Sequence, residues 1–198
     1  GGIADGAQGP DISAIPAIAL KKVEVLRDGA AAQYGSDAIA GILNFVYKDA
    51  AEGYRLEIKS GEYKEGDGQT VRIGMNAGMP FTDDGYANFS LELQETDPTA
   101  RSAQRGDAAS LKEAGVPVWE HPFGNGEAQV WGSPKVKDDV KFVGNIGLEL
   151  TPSSKFYLFG NYAEKNVMGG FFFRNPNNRT GVYDDGSDIR LIADVAQA

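Results

Sequence analysis

The chain has 198 residues, a formal net charge of −9, 26 glycines, one histidine and no cysteine. Lys and Arg are nowhere gathered into the basic stripe that neutralising phosphates needs, which argues against nucleic acid as a partner. Lack of cysteine removes disulfides, thiol nucleophiles and Cys-ligated metal, and no apolar run approaches the roughly 20 residues of a spanning helix.

The opening "GGIADGAQGPDISAIPAIAL" has no initiator Met, no basic n-region and no continuous apolar core. It is expected to belong to a mature or internal piece of a longer chain rather than to a secretion signal. Its glycines lack the GK[ST] ending of a phosphate loop and follow no strand, so the segment reads as an ordinary loop. In "VEVLRDGAAAQYGSDAIAGILNFVYK", residues 23–48, Val23, Val25 and Leu26 predict a strand. Arg27, Asp28 and Gly29 follow, then a patch of small residues, then a second β-rich run from Ile42 to Tyr47.

Beyond Ala50 the hydrophobic period becomes two, which puts alternate side chains on opposite faces of a strand. In "YRLEIKS", Tyr54, Leu56 and Ile58 alternate with Arg55, Glu57 and Lys59. "TVRIGMNAGM" sets Val71, Ile73 and Met75 against Arg72, Gly74 and Asn76, and "ANFSLELQ" sets Phe89, Leu91 and Leu93 against Asn88, Ser90 and Glu92. "VKFVGNIGLEL" sets Phe142, Ile146 and Leu148 against Lys141, Asn145 and Glu149; "KFYLFGNYAE" is apolar on both faces near its start. Turn formers join the second strand to the third at "PFTDDG" and the fourth to the fifth at "TPSS", whereas a long segment joins the third to the fourth. In an up-and-down meander the short turns then share one end of the sheet and the long connections the other. An outer-membrane barrel has this layout, since a sheet in lipid must satisfy its own backbone and turn apolar side chains outward. A soluble antiparallel sheet with one face on a core has the same period.

"IPAIALKKVEVLRDGAAAQYGSDAIAGILNFVYK" closely resembles the end of the plug domain of TonB-dependent outer-membrane receptors, where an I-x-x-I-E-V-L-R-D-G-x-S-A-x-Y-G-S-x-A-I-A-G-V-I-N pattern precedes the first barrel strand. Glu24, Arg27, Asp28, Gly29, Tyr34, Gly35 and Gly41 stand at matching positions, with Asp37 inside the same run. "GGFFFRNPNNRTGVY" is similar, more weakly, to a barrel segment of one branch of the family. The resemblance implies a mainly β fold, a fragment of a plugged transmembrane antiparallel barrel of about 22 strands with the C-terminal part of an α+β plug. Residues 1–50 would be the end of the plug and 51–198 the first five or six strands, the sixth at "DIRLIADVA". A long extracellular loop would run over about 97–138, with "PFTDDG" and "TPSS" toward the periplasm. Leu56, Ile58, Val71, Ile73, Phe89, Leu91, Leu93, Phe142, Ile146 and Leu148 would face lipid.

The function so implied is uptake of a scarce nutrient, such as an iron–siderophore complex, across the bacterial outer membrane, driven through the TonB protein, with no cofactor. TonB would be engaged by a segment absent from this chain. Five or six strands cannot close at that diameter, so the chain reads as a piece of such a receptor. The other reading is a soluble β-sheet binding or adhesion module of the envelope. Arg27, Asp28 and Asp37 suit ion pairing within the plug or with lumen charges, on the order of 1 kcal/mol or less each in a wet setting.

Among remaining candidates, Trp119, His121, Trp131 and Arg174 are ligand-contact residues by position in long connections, where Trp119, Phe123 and Trp131 equally suit loop packing. His121 has only Glu120 and Glu127 nearby, thin support for metal. Phe171, Phe172 and Phe173 suit an interfacial girdle or loop packing. "DDGSD" at 184–188 lacks the spacing of a calcium loop and reads as an acidic turn. No catalytic set emerges, and an enzyme is not expected.

Overall fold

The structure, a computed structural model, describes residues 12–26 and 41–172. Two short 3-10 turns, Ile12–Ala14 and Ala17–Ala19, lead into β1, Leu20–Leu26, which pairs antiparallel with β2, Ile42–Tyr47. Val25 faces Leu43 and Glu24 faces Asn44 in this register, and an irregularity between Leu20 and Lys22 shifts its far end.

A second antiparallel sheet runs β3 (Tyr54–Gly61), β4 (Thr70–Pro80), β5 (Gly85–Thr96), β6 (Lys135–Thr151) and β7 (Ser154–Met168), each strand beside its sequence neighbours. All five strands expected from the alternation are present in the expected order. The sheet is open, with β3 and β7 as its edges. Among the described residues the sheet does not close into a barrel, and the expected sixth strand lies outside them.

Two differences from the sequence reading have physical causes. β6 begins at Lys135, so the long connection is shorter at its C-terminal side than the expected 97–138. Charged Lys135, Lys137, Asp138 and Asp139 hide the alternation there, and Asp138 has a φ of 53°, in the left-handed region. The connection also holds a helix, α1, Gly106–Glu113, too short and too weakly amphipathic to read from its pattern. Among the described residues no helix is long and apolar enough to cross a membrane, which bears on helices alone.

The chain divides into two compact units. The first takes in the described residues within 1–60, with 71–94 and 138–166; the second takes in 61–70, 95–137 and the described residues from 167. In the second, Ala108 and Ala128 are fully buried, with Leu111 and Val118 packed against them.

Candidate functional site

The sheet buries the polar side of its central strands β5 and β6, while Arg55 and Lys59 of edge strand β3 and the whole of edge strand β7 stay exposed. Asn88 and Ser90 are 3% exposed, Glu92 4% and Asn145 2%, and Asp139 and Lys141 are buried beside them. On the other face Leu56 is 60% exposed and Ile58 68%, with Val71, Leu93 and Phe142 also exposed. Ile73, Phe89, Leu91, Ile146 and Leu148 are half-buried there, and the Phe89 and Phe142 rings stack with centroids 6.1 Å apart. A water-soluble sheet gains its stability by the opposite arrangement, apolar face covered and polar face wet.

The buried polar face holds the segment that precedes the sheet. Asn145 donates through Nδ2 to the Lys48 carbonyl at 2.8 Å, and Asn88 donates to the Ala50 carbonyl at 3.1 Å. Two strand residues thus satisfy backbone acceptors of a connector that has no ladder partner of its own there. The Gly78 N–H donates to the Gly53 carbonyl at 2.8 Å, and a Cβ on Gly78 would stand 2.3 Å from the Ala50 oxygen, so glycine lets the connector lie on the strand. Further along, Ile18 packs over Gly74, the Lys165 ammonium donates to the Ser13 hydroxyl at 2.8 Å, and the Tyr47 and Phe159 rings sit 6.0 Å apart. The connector is tied back to the small sheet by the Lys48 N–H to the Ala19 carbonyl, 2.9 Å, and by a Lys21–Asp49 ion pair at 2.8 Å.

Charge on the buried face is paired. Glu92 takes Lys141 at 3.1 Å and faces Arg72 at 3.9 Å, while Lys141 also reaches Asp139 at 3.3 Å. The signs alternate across β4, β5 and β6, which is how buried ions avoid the cost of standing alone. Asp139 Oδ1 has no hydrogen-bond partner among the described residues. Asp139 and Lys141 line a cavity of about 140 Å³ with Ser13, Ala14, Ala163, Glu164 and Lys165.

Outside the strands of the large sheet, burial lowers the pKa of the Lys48 ammonium, with Arg55 nearby acting in the same direction. The hydrogen bond from Lys22, then that from Asn44, holds the Glu24 carboxyl below its usual range. Glu24 thus ties β1 to β2, with Asn44 Nδ2 donating to it at 2.9 Å. Gly41, with a φ of 135°, stands just before β2. Arg27, Asp28, Gly29, Tyr34, Gly35 and Asp37 lie outside the described residues, as do Phe173, Arg174 and the "DDGSD" run.

Trp119, His121 and Trp131 belong to the second unit. His121 is buried: its Nε2 donates to the Gly169 carbonyl at 3.1 Å and its Nδ1 accepts the Phe123 N–H at 3.5 Å. The Trp119 and Phe123 rings stand edge-on to it, and Trp119 also meets Phe171 edge-on. Trp131, 56% exposed, meets the Phe172 ring at 5.5 Å, over which lies the Arg105 guanidinium. Among the described residues no group of three or more His, Asp or Glu is placed to hold a metal ion. The buried set Asn88, Glu92, Asp139, Lys141 and Asn145 was not singled out by sequence; alternation gave its face but not its partners.

No curated protein and no solved structure matches the chain. A family model does: residues 2–42 match the TonB-dependent Receptor Plug Domain. That match overlaps the stretch carrying the resemblance and ends at the first residue of β2, and it is consistent with a fragment of a TonB-dependent receptor.

Proposed function

We propose that the chain is the end of the plug and the first wall strands of a TonB-dependent receptor in the bacterial outer membrane, which binds a scarce nutrient such as an iron–siderophore complex and admits it when force passed through TonB shifts the plug. The domain reading is 1–50 for plug and 51–198 for wall, with the rest of a 22-stranded barrel supplied by further sequence. No bond is made or broken; binding is done by outer connections and plug, and TonB, nutrient and lipid are the partners. Trp119, His121, Trp131 and Arg174 are ligand-contact candidates in this reading, with the buried His121 acting through its ring contact with Trp119.

The observation that carries the proposal is the inverted sheet, whose Asn88, Glu92, Lys141 and Asn145 are buried while Leu56 and Ile58 are exposed. A lipid-facing wall around a polar, plugged interior needs that polarity. The soluble-module reading needs the reverse.

Single-cysteine variants of the full-length protein in intact cells test it. Labelling by a membrane-impermeant thiol reagent is expected at Asn125→Cys, in the long connection, and absent at Asp83→Cys, in the turn after β4, until the outer membrane is opened. The reverse pattern, or a protein recovered in the soluble fraction, would reject the reading.

A further inference from the structure

Within the second unit, several contacts between the β3–β4 connection and the start of the β5–β6 connection gather on one side chain. Arg101 Nε donates to Asp67 Oδ2 at 2.8 Å and its Nη2 to Asp67 Oδ1, a two-pronged fit of guanidinium to carboxylate. The same Nη2 lies 3.2 Å from Glu65 Oε2, and the guanidinium carbon stands 5.2 Å from the centre of the Tyr63 ring. Three residues of one connection therefore converge on one residue of the other. The turn that presents them is tight: the Tyr63 N–H donates to the Asp67 carbonyl at 3.0 Å and the Gly66 N–H to the Tyr63 carbonyl at 2.9 Å. Gly68, with a φ of 64°, sits where a Cβ would stand 2.4 Å from the Tyr63 ring, so side-chain size there is set by the same contact. At the strand ends the Asp97 N–H donates to the Gln69 carbonyl at 2.7 Å.

We propose that Arg101 is a strap that makes the 62–69 and 97–101 segments open and close together, as one lid rather than two independent loops. Lysine cannot replace it, since an ammonium lacks the planar fork and meets only one carboxylate oxygen at a time. The groups facing the guanidinium are Asp67, Glu65 and Tyr63, and acid does not undo the strap at ordinary pH. The hydrogen bond from Arg101 holds the Asp67 carboxyl below its usual range, so it stays ionised wherever a free carboxylate is. Release takes competition for the guanidinium, by salt or by an anionic group arriving at the lid.

Hydrogen exchange by mass spectrometry on the full-length protein tests the strap at pH 7. Arg101→Gln is expected to speed exchange about fivefold at the Tyr63 and Gly66 amides and also at the Asp97 and Thr99 amides, a size in keeping with an exposed ion-pair cluster. Asp67→Asn is expected to do the same, with the double variant no faster than either single one, and Arg101→Lys to recover less than half the protection. Lys112→Gln, which removes a separate bridge to Glu120, serves as the control and leaves these amides unchanged. Unchanged exchange in both Arg101→Gln and Asp67→Asn, acceleration in 62–69 alone, or equal acceleration through the 106–113 helix would each overturn the strap.

Discussion

Asn145, on the buried face of β6, donates its side-chain amide to the carbonyl of Lys48 at 2.8 Å and is 2% exposed. Replacing it by Ala leaves the carbonyl of half-buried Lys48 without its donor and a gap where the amide was. Asn145→Ala should cost about 1–3 kcal/mol of the seating of the connector on the sheet, and Asn88→Ala a similar amount at Ala50. Protease sensitivity of residues 48–53 in the full-length protein reads this directly, and an unaltered cleavage rate in both variants would show that the two bonds do not hold the connector.

Gly78→Ala should act at the same place by steric means. The added methyl meets a backbone oxygen rather than a movable side chain, so the connector or the strand must shift, at about 1–3 kcal/mol. The double variant with Asn88→Ala is expected to be less than additive, because both act through the Ala50 carbonyl. Additivity in a thermal-unfolding cycle would show that the two contacts are independent.

Lys141 stands between Glu92 and Asp139, both buried. Lys141→Met strands two carboxylates, of which, among the described residues, only Glu92 retains a cation, Arg72, at 3.9 Å. Loss of a partner from a buried pair typically costs about 3–5 kcal/mol, whereas removing charge on both sides costs much less. Lys141→Met should therefore be rescued in large part by adding Glu92→Gln and Asp139→Asn. If the triple variant is as unstable as the single one in urea unfolding, the ladder matters for packing and not for charge.

How much of this was legible in the sequence follows from what each signal depends on. Alternation at Leu56, Ile58, Leu91 and Phe142 is a property of single strands, so the sheet and its two faces could be read directly. Which face is covered depends on what lies against it, and alternation alone left lipid and core open until the motif from Val23 to Asn44 was matched. The hydrogen bonds of Asn88 and Asn145 join residues 38 and 97 positions apart, and nothing local marks them. His121 illustrates the same limit from the other side: its place in a long connection suggested ligand contact, while its hydrogen bond to the Gly169 carbonyl joins residues 48 positions apart.

The pH response of the Arg101 strap has a definite sign. Asp67 has a folded pKa below its unfolded value, so its contribution is complete above the unfolded carboxylate pKa, about 3.9, and is lost as pH falls through the lower folded value. Protection of the Tyr63 and Gly66 amides, corrected for intrinsic exchange rates, should be flat from pH 5 to 8 and fall only in stronger acid. Raising the salt concentration at pH 7 should weaken it instead, because the pair is exposed. A fall in protection between pH 5 and 7 would show that another group controls the turn.

Leu91 lies on the outward face of the central strand of the sheet, next to the stacked Phe89 and Phe142 rings. If that face meets bilayer, Leu91→Arg puts an ion into hydrocarbon and should cost about 2–4 kcal/mol near the midplane and much less near either interface. Leu56→Arg, nearer a strand end, should therefore be the milder change. If the face meets water, Leu56→Arg is harmless or favourable, since it replaces exposed apolar surface by a solvated charge, and Leu91→Arg, at a half-buried position, costs much less than it would in hydrocarbon. Folding of the full-length variants into lipid vesicles, followed by urea unfolding, separates the two cases by the sign of the Leu56→Arg change and the size of the Leu91→Arg one. A stable, vesicle-independent Leu91→Arg protein would remove the basis for assigning this sheet to a membrane wall.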